Sequence, residues 1–229
     1  MISRTAALAL TLGLLVPAFA TSSLQDDVGR IQQSNTVFQE VMNTPDKGIP
    51  QEILEGAECI AIVPSQKNFA FVFGGTYGKG VAVCRHFQKW GAPMFIQVGG
   101  GSWGLQIGGQ STDVIMVFRS QSGLEHLLSD KVRLGAGANA AAGPVGRHVS
   151  AATDVSMHAE ILTYARSRGA FAGISLNGDI VQPDKTGNSA MYGPRTWQDI
   201  LSGKVRSPKS NQDFLATLDR YSVQAANRP

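Results

Sequence analysis

The chain has 229 residues, 43% of them apolar, two cysteines and a formal net charge of +3. That length suits one domain with a real core behind a short leader. The charge is too small and too scattered for a nucleic-acid binder, which concentrates Lys and Arg in a stripe.

Met1 to Ala20 reads as a cleaved secretory signal: a cation at Arg4, an apolar stretch from Ala6 to Val16, and the small-residue pattern Ala18-Phe19-Ala20. The stretch is shorter than the roughly 20 residues a permanent membrane helix needs. No cysteine near the cleavage point offers a lipid attachment, and Arg4 stands alone where twin-arginine export needs a pair. The expected division is a signal peptide over 1–20 and a single domain over 21–229, exported, with the bacterial periplasm as the expected location.

Leu24, Val28, Ile31, Phe38 and Met42 recur at helical spacing, and Val37 and Val41 widen the stripe, so Ser23 to Asn43 reads as an amphipathic helix. Its polar side carries Asp26, Asp27 and Glu40 against Arg30 alone, a balance that anionic lipid repels. Packing of the stripe on the domain is therefore preferred to membrane contact. Gln51 to Gly56 reads as one helical turn.

Short β-branched and aromatic runs bounded by glycine follow, the signature of antiparallel strands joined by tight turns. Strands are expected over Glu58 to Val63, Phe69 to Gly74, Gly80 to Arg85, Met94 to Val98, Gly104 to Ile107 and Asp113 to Phe118, with turns at Ser65 to Asn68 and Tyr77 to Lys79. Those turns would leave Cys59 and Cys84 out of register, so free thiols are preferred, although an exported protein could bond them. Ser122-x-x-Glu125 reads as a capping box opening a short helix. Val132 to Ala142 is nearly free of large side chains and would let a backbone or ligand approach. Glu160 to Arg166 and Ala170 to Leu176 read as a hairpin, and Pro194 to Leu201 and Asn211 to Tyr221 as helices. The fold class is α+β: a mainly antiparallel, strongly bent sheet or barrel-like sandwich flanked by N- and C-terminal helices.

No catalytic constellation emerges. Gly100-x-Ser102-x-Gly104 matches a nucleophile elbow literally, but a strand-like run follows where a helix is required. Gly135-x-Gly137-x-x-Ala140 lacks the flanking strand and helix of a dinucleotide site, and Gly80 stands where a phosphate loop needs Ser or Thr after Gly78-Lys79. His86, His126, His148 and His158 have no metal-ligand spacing. No enzyme activity, cofactor or metal is expected. Asp113 reads first as a structural residue accepting backbone N–H groups.

The ordered blocks FVFGGTYGKGVAV, GLQIGGQSTDVIMVF, LGAGANAAAGPVGR, YARSRGAFAGISLNG and MYG resemble the SYLF family, also called the Ysc84 actin-binding or lipid-binding domain. The resemblance covers most of the chain after about Thr36. It implies lipid binding and, in some eukaryotic relatives, actin binding; some of those relatives use a basic N-terminal helix on membranes. The export reading leads us to expect no actin partner here. The expected ligand is an anionic phospholipid or membrane surface, with an envelope protein partner as the alternative and no nucleic acid. Basic residues beside glycine-rich turns, Lys79, Arg85, Lys131, Arg133 and Arg147, are the candidate phosphate-capturing groups. Trp103 is the candidate interfacial anchor. Trp90 and Phe95 could serve the same way, and core packing explains all three aromatics equally well.

Overall fold

The computed structural model describes residues 24–44, 48–70, 73–87, 89–103, 108–129, 140–145, 159–167, 170–173 and 179–223. The expected leader, the strand over Gly104 to Ile107 and the segment Val132 to Asn139 lie outside them. Helices α1 (Leu24–Met42) and α2 (Gln51–Glu55) precede strands β1 (Cys59–Ala70), β2 (Phe73–His86), β3 (Lys89–Trp90), β4 (Met94–Trp103) and β5 (Gly108–Phe118). Helix α3 (Gln121–Ser129) leads to β6 (Ala140–Ala142), β7 (Ile161–Ser167), β8 (Ala170–Gly173) and β9 (Ile180–Pro183). Helices α4 (Lys185–Tyr192), α5 (Trp197–Leu201) and α6 (Gln212–Val223) close the described chain.

Among the described residues the strands form one sheet in the order β6-β7-β5-β1-β2-β4-β9, with β3 on β2 and β8 on β7. Every pairing is antiparallel except β6 with β7. The sheet curls into a half-barrel with helices at both ends of the chain, the α+β class expected. Both of its faces are covered, which is why CIAIV, VAVC and VIMVF are continuous apolar runs rather than alternating ones. On one face Ile60, Ile62, Val81, Val83 and Ile115 pack against α1 and α6 through Ile31, Phe38, Val41, Phe214 and Leu218. On the other, Ala61, Ala82, Met94, Val114 and Met116 pack against α3 and α5 through Leu124, Leu127, Ile200 and Leu201. The α1 stripe therefore does pack on the domain, although Leu24 at its start is 53% exposed.

Two expected turns are not turns. β1 runs straight through Ser65 to Asn68, and β2 through Gly78 and Gly80. The register steps from Ile62↔Val81 to Lys67↔Tyr77 on one side and from Val63↔Val114 to Gln66↔Thr112 on the other. Pro64 and Ser65 thus form a bulge facing Asp113, with Ser65 at φ 51°. Asp113 behaves as expected: its Oδ1 accepts the Ser65 backbone N–H at 2.8 Å. The reversal falls after Ala70, so Phe69 to Gly74 is not a strand of its own but two strand ends, Ala70 opposite Gly74.

That longer hairpin brings Cys59 directly opposite Cys84, and the two form a disulfide, correcting the preference for free thiols. It closes a loop across a separation of 25 residues. Replacing both cysteines with alanine is expected to cost about 2–4 kcal/mol. Urea unfolding with and without reductant measures this, and a midpoint that neither the double variant nor reduction shifts would remove the bond from the account.

Helix α3 is capped two residues earlier than expected. Ser120 Oγ accepts the Gly123 N–H at 3.1 Å, and Gln121 donates to Glu125, so Ser122 is not the cap. The hairpin across 167–170 and the helices near 197–201 and 212–223 match expectation. Strand β9 and helix α4 had no signal in the apolar pattern. Trp90 and Phe95 are both core residues, 6% and 0% exposed.

Candidate functional site

Helix α1 crosses the bulged part of β1 and β2 and leaves a cleft of about 480 Å³ between them. Gln25, Arg30, Lys67, Tyr77 and Lys79 are among its lining residues. Its floor is a set of paired charges. Arg30 donates to Asp27 at 3.1 Å and to Asp184 at 2.9 Å, and Lys79 meets the same Asp184 Oδ2 at 3.1 Å. Asp184 is also the N-cap of α4, accepting the Gly187 N–H, so one carboxylate ties α1, β2 and α4 together. Burial alone would raise the Asp184 pKa. Lys79, the Gly187 N–H and Arg30 outweigh burial and hold it below the ordinary value.

The rim differs. Lys67 and Tyr77 stand opposite one another across β1 and β2, Lys67 exposed and Tyr77 50% exposed. Lys67 Nζ donates to Ser111 Oγ at 3.3 Å, and Ser111 is its partner on β5. Beyond this row the four central strands end together: Ala70 lies opposite both Gly74 and Gly108, and Phe73 opposite Trp103. The backbone register thereby gathers Phe69, Phe73 and Trp103 at one end of the sheet. Lys67 lies two residues behind Phe69, about 7 Å along the strand.

Of the six residues expected to bind lipid, Lys79 is half-buried in its pair with Asp184. Arg85 donates to the Leu54 carbonyl at 3.1 Å and lies 4.5 Å from the Trp90 ring centroid. Burial pulls the Arg85 pKa down despite nearby Glu58. Arg85 therefore ties α2 to the sheet, and Lys79 is committed to the clasp. Trp103 sits at the strand end, while Lys131, Arg133 and Arg147 lie outside the described residues. Lys67, Tyr77 and Asp184 were missed, because only the bulged register shows which of the many polar residues around the strands share a rim.

A second cluster fixes the bulge from outside. Arg166 on β7 donates to Asp113 Oδ2 at 3.0 Å from Nε and 2.7 Å from Nη2, and it also pairs with Glu40 on α1. Asp179, buried before β9, has its pKa raised by desolvation against hydrogen bonds from Thr76 and Gln66. Ser102 lies within β4 opposite Gly74. Among the described residues no group of three His, Cys, Asp or Glu stands close enough to hold a metal ion.

The curled sheet, its flanking helices and its internally paired charges define an α+β scaffold. The family model described as "Ysc84: Las17-binding protein actin regulator" matches residues 99–221, and the chain belongs to this Ysc84 (SYLF) family. LAS seventeen-binding protein 3 of Saccharomyces cerevisiae is 31% identical over 179 residues, covering 76% of this chain and 39% of that protein. An SH3 domain-containing protein of Schizosaccharomyces pombe is 30% identical over 205 residues, 86% of this chain and 47% of the relative. SH3 domain-containing YSC84-like protein 1 of Homo sapiens is 29% identical over 212 residues, 90% of this chain and 61% of the relative. The chain thus spans about half the length of the curated relatives it matches. The family description and the Las17-binding name overturn the expectation that actin is excluded as a partner. That expectation rested on reading residues 1–20 as a bacterial export signal, and a leader says nothing about the surface the folded domain presents.

Proposed function

We propose that this chain is a non-enzymatic docking module that binds an anionic phospholipid surface with the sheet end carrying Phe69, Phe73 and Trp103. One observation carries the reading: the exposed Lys67↔Tyr77 pair lies one step behind that aromatic end. Lys67, about 7 Å along its strand from Phe69, and Tyr77, about 13 Å along its strand from Phe73, sit at headgroup depth when that end enters the acyl boundary. The clasp charges are balanced, so the rim lysine supplies attraction while Arg30 and Lys79 hold the scaffold. Lys131, Arg133 and Arg147 belong to the proposal on sequence grounds. Export is proposed with it, supported by the Cys59–Cys84 disulfide, since such bonds persist in oxidising compartments.

Flotation with phosphatidylserine-containing vesicles, against phosphatidylcholine alone, tests the reading. Native protein should float with the anionic vesicles. Lys67→Ala should weaken binding about fivefold, one basic residue near such a surface being worth about 1 kcal/mol. Trp103→Ala should weaken it further, and the Lys131, Arg133 and Arg147 triple alanine variant reports what the remaining cations add. Equal binding to both vesicle types, or none by the native protein, would refute the reading.

A further inference from the structure

The face of the sheet under α3 and α5 changes character toward the aromatic end. Val114, Val98 and Val181 are buried in its apolar core, yet two positions nearer that end stand Thr112, Gly100 and Asp179. On β1, Val63 gives way across the bulge to Gln66. Gln66 is 2% exposed, and Thr112 and Asp179 are each 8% exposed. A polar layer is therefore buried at the end of an apolar core.

Gly100 lets the layer close. It lies opposite Thr76 on β2, and Asp179 precedes Ile180, which lies opposite Gly99. With no side chain on Gly100 in the way, Asp179 reaches across β4 and accepts hydrogen bonds from Thr76 and Gln66. Gln66 is directed to this face, since a Cβ on Gly78 would stand 3.2 Å from its Cβ and Cγ.

The layer lacks a countercharge. Among the described residues no cation pairs with Asp179, and desolvation pushes its pKa above the ordinary value. Gln66 gives its amide N–H to that carboxylate, and its Oε1 is buried with no hydrogen-bond partner among the described residues. A negative charge and a bare carbonyl oxygen, both kept from water, are costly unless a cationic donor satisfies them. The acceptors select the cation. Transition metals favour His or Cys and calcium favours several carboxylates, and among the described residues this layer has one carboxylate alone. A primary ammonium carries one charge and three N–H donors, which match the Asp179 carboxylate, the Gln66 Oε1 and the hydroxyl of Thr112 opposite Gln66.

We infer that Asp179, Gln66 and Thr112 form a recognition site for a primary ammonium group, presented by an aminophospholipid headgroup. The lipid source rests on the docking reading above: half-buried Thr76 lies three residues from Phe73, about 10 Å along β2, next to the Lys67↔Tyr77 row.

Two measurements separate the chemistry from its source. In urea unfolding, ethanolamine should raise the native midpoint progressively, while choline, which has no N–H to donate, leaves it unchanged. Asp179→Asn should unfold at or above the native midpoint without amine, since it removes an unpaired buried charge, and should not respond to ethanolamine. In flotation, native protein should bind phosphatidylserine vesicles about tenfold more tightly than phosphatidylglycerol vesicles of equal charge, and Asp179→Asn should bind the two alike. Equal responses to ethanolamine and choline, or an Asp179→Asn variant that still responds to ethanolamine, would overturn the site. An ethanolamine response without a preference for phosphatidylserine would overturn the headgroup as its source. Loss of flotation on both vesicle types with the ethanolamine response retained would overturn the docking reading and leave the ammonium site standing.

Discussion

Gly80→Ala is expected to destabilise the domain by about 3 kcal/mol or more, although it adds one methyl group. A Cβ at this position would stand 2.1 Å from the Ile62 carbonyl oxygen and 2.8 Å from the Val63 Cα, both backbone atoms of the adjacent strand. No side chain can rotate away from that contact. β1 must move off β2, and the register Ile62↔Val81 next to the bulge must open with it. Gly29→Ala is the control, since nothing lies within 4 Å of its Cβ and the helix interior favours alanine by about 0.5–1 kcal/mol. Urea melts of the two variants should move in opposite directions. A Gly80→Ala midpoint equal to that of the native protein would show that the strands do not cross as closely as described.

Asp184→Ala should cost about 3–5 kcal/mol, the loss typical of removing one partner from a buried ion pair. Most of it comes from Arg30, which is 9% exposed and keeps only Asp27 as a carboxylate partner when Asp184 is gone. Lys79 is 33% exposed and can turn to water, so its share is small. The cap on Gly187 is lost as well. Asp184→Asn retains a cap and removes only the charge, which separates the two contributions. The pH dependence follows from the lowered pKa. A carboxylate held below its unfolded value contributes fully above the unfolded value, about 3.9 for Asp, and loses that contribution as the pH falls through the lower folded value. Native stability should therefore drop more steeply below about pH 4 than that of Asp184→Asn. Parallel acid profiles for the two proteins would exclude Asp184 as the linking group.

Apolar patterning identified α1, the core of each central strand and the C-terminal helix, because burial leaves a direct mark on residue type. Pairing was less legible. Pro64-Ser65 and Gly78-Lys79-Gly80 carry turn-forming residues, yet here the first pair makes a bulge, Gly80 admits the neighbouring backbone and Gly78 admits the Val63 and Gln66 side chains. Sequence cannot distinguish a glycine that bends the chain from one that clears space. Every misplaced register followed from that ambiguity, including the separation of Cys59 from Cys84. The site inherited the same error: Lys67 lay inside an expected turn and Tyr77 at the start of another, so neither was weighed as a rim residue. Asp184 went unseen because it precedes a short helix of mostly small and polar residues, and its partners come from α1 and β2, far away in the chain.

Spin-label depth on anionic vesicles tests the orientation of the domain most directly. Cys59 and Cys84 are bonded to each other, so a nitroxide on Ser111→Cys, opposite Lys67, and another on Lys89→Cys, beside Phe87, can each be read alone. The label at 111 should become shielded at headgroup depth while the label at 89 remains in water. Two labels that both stay fully accessible, or shielding at 89 alone, would contradict the account.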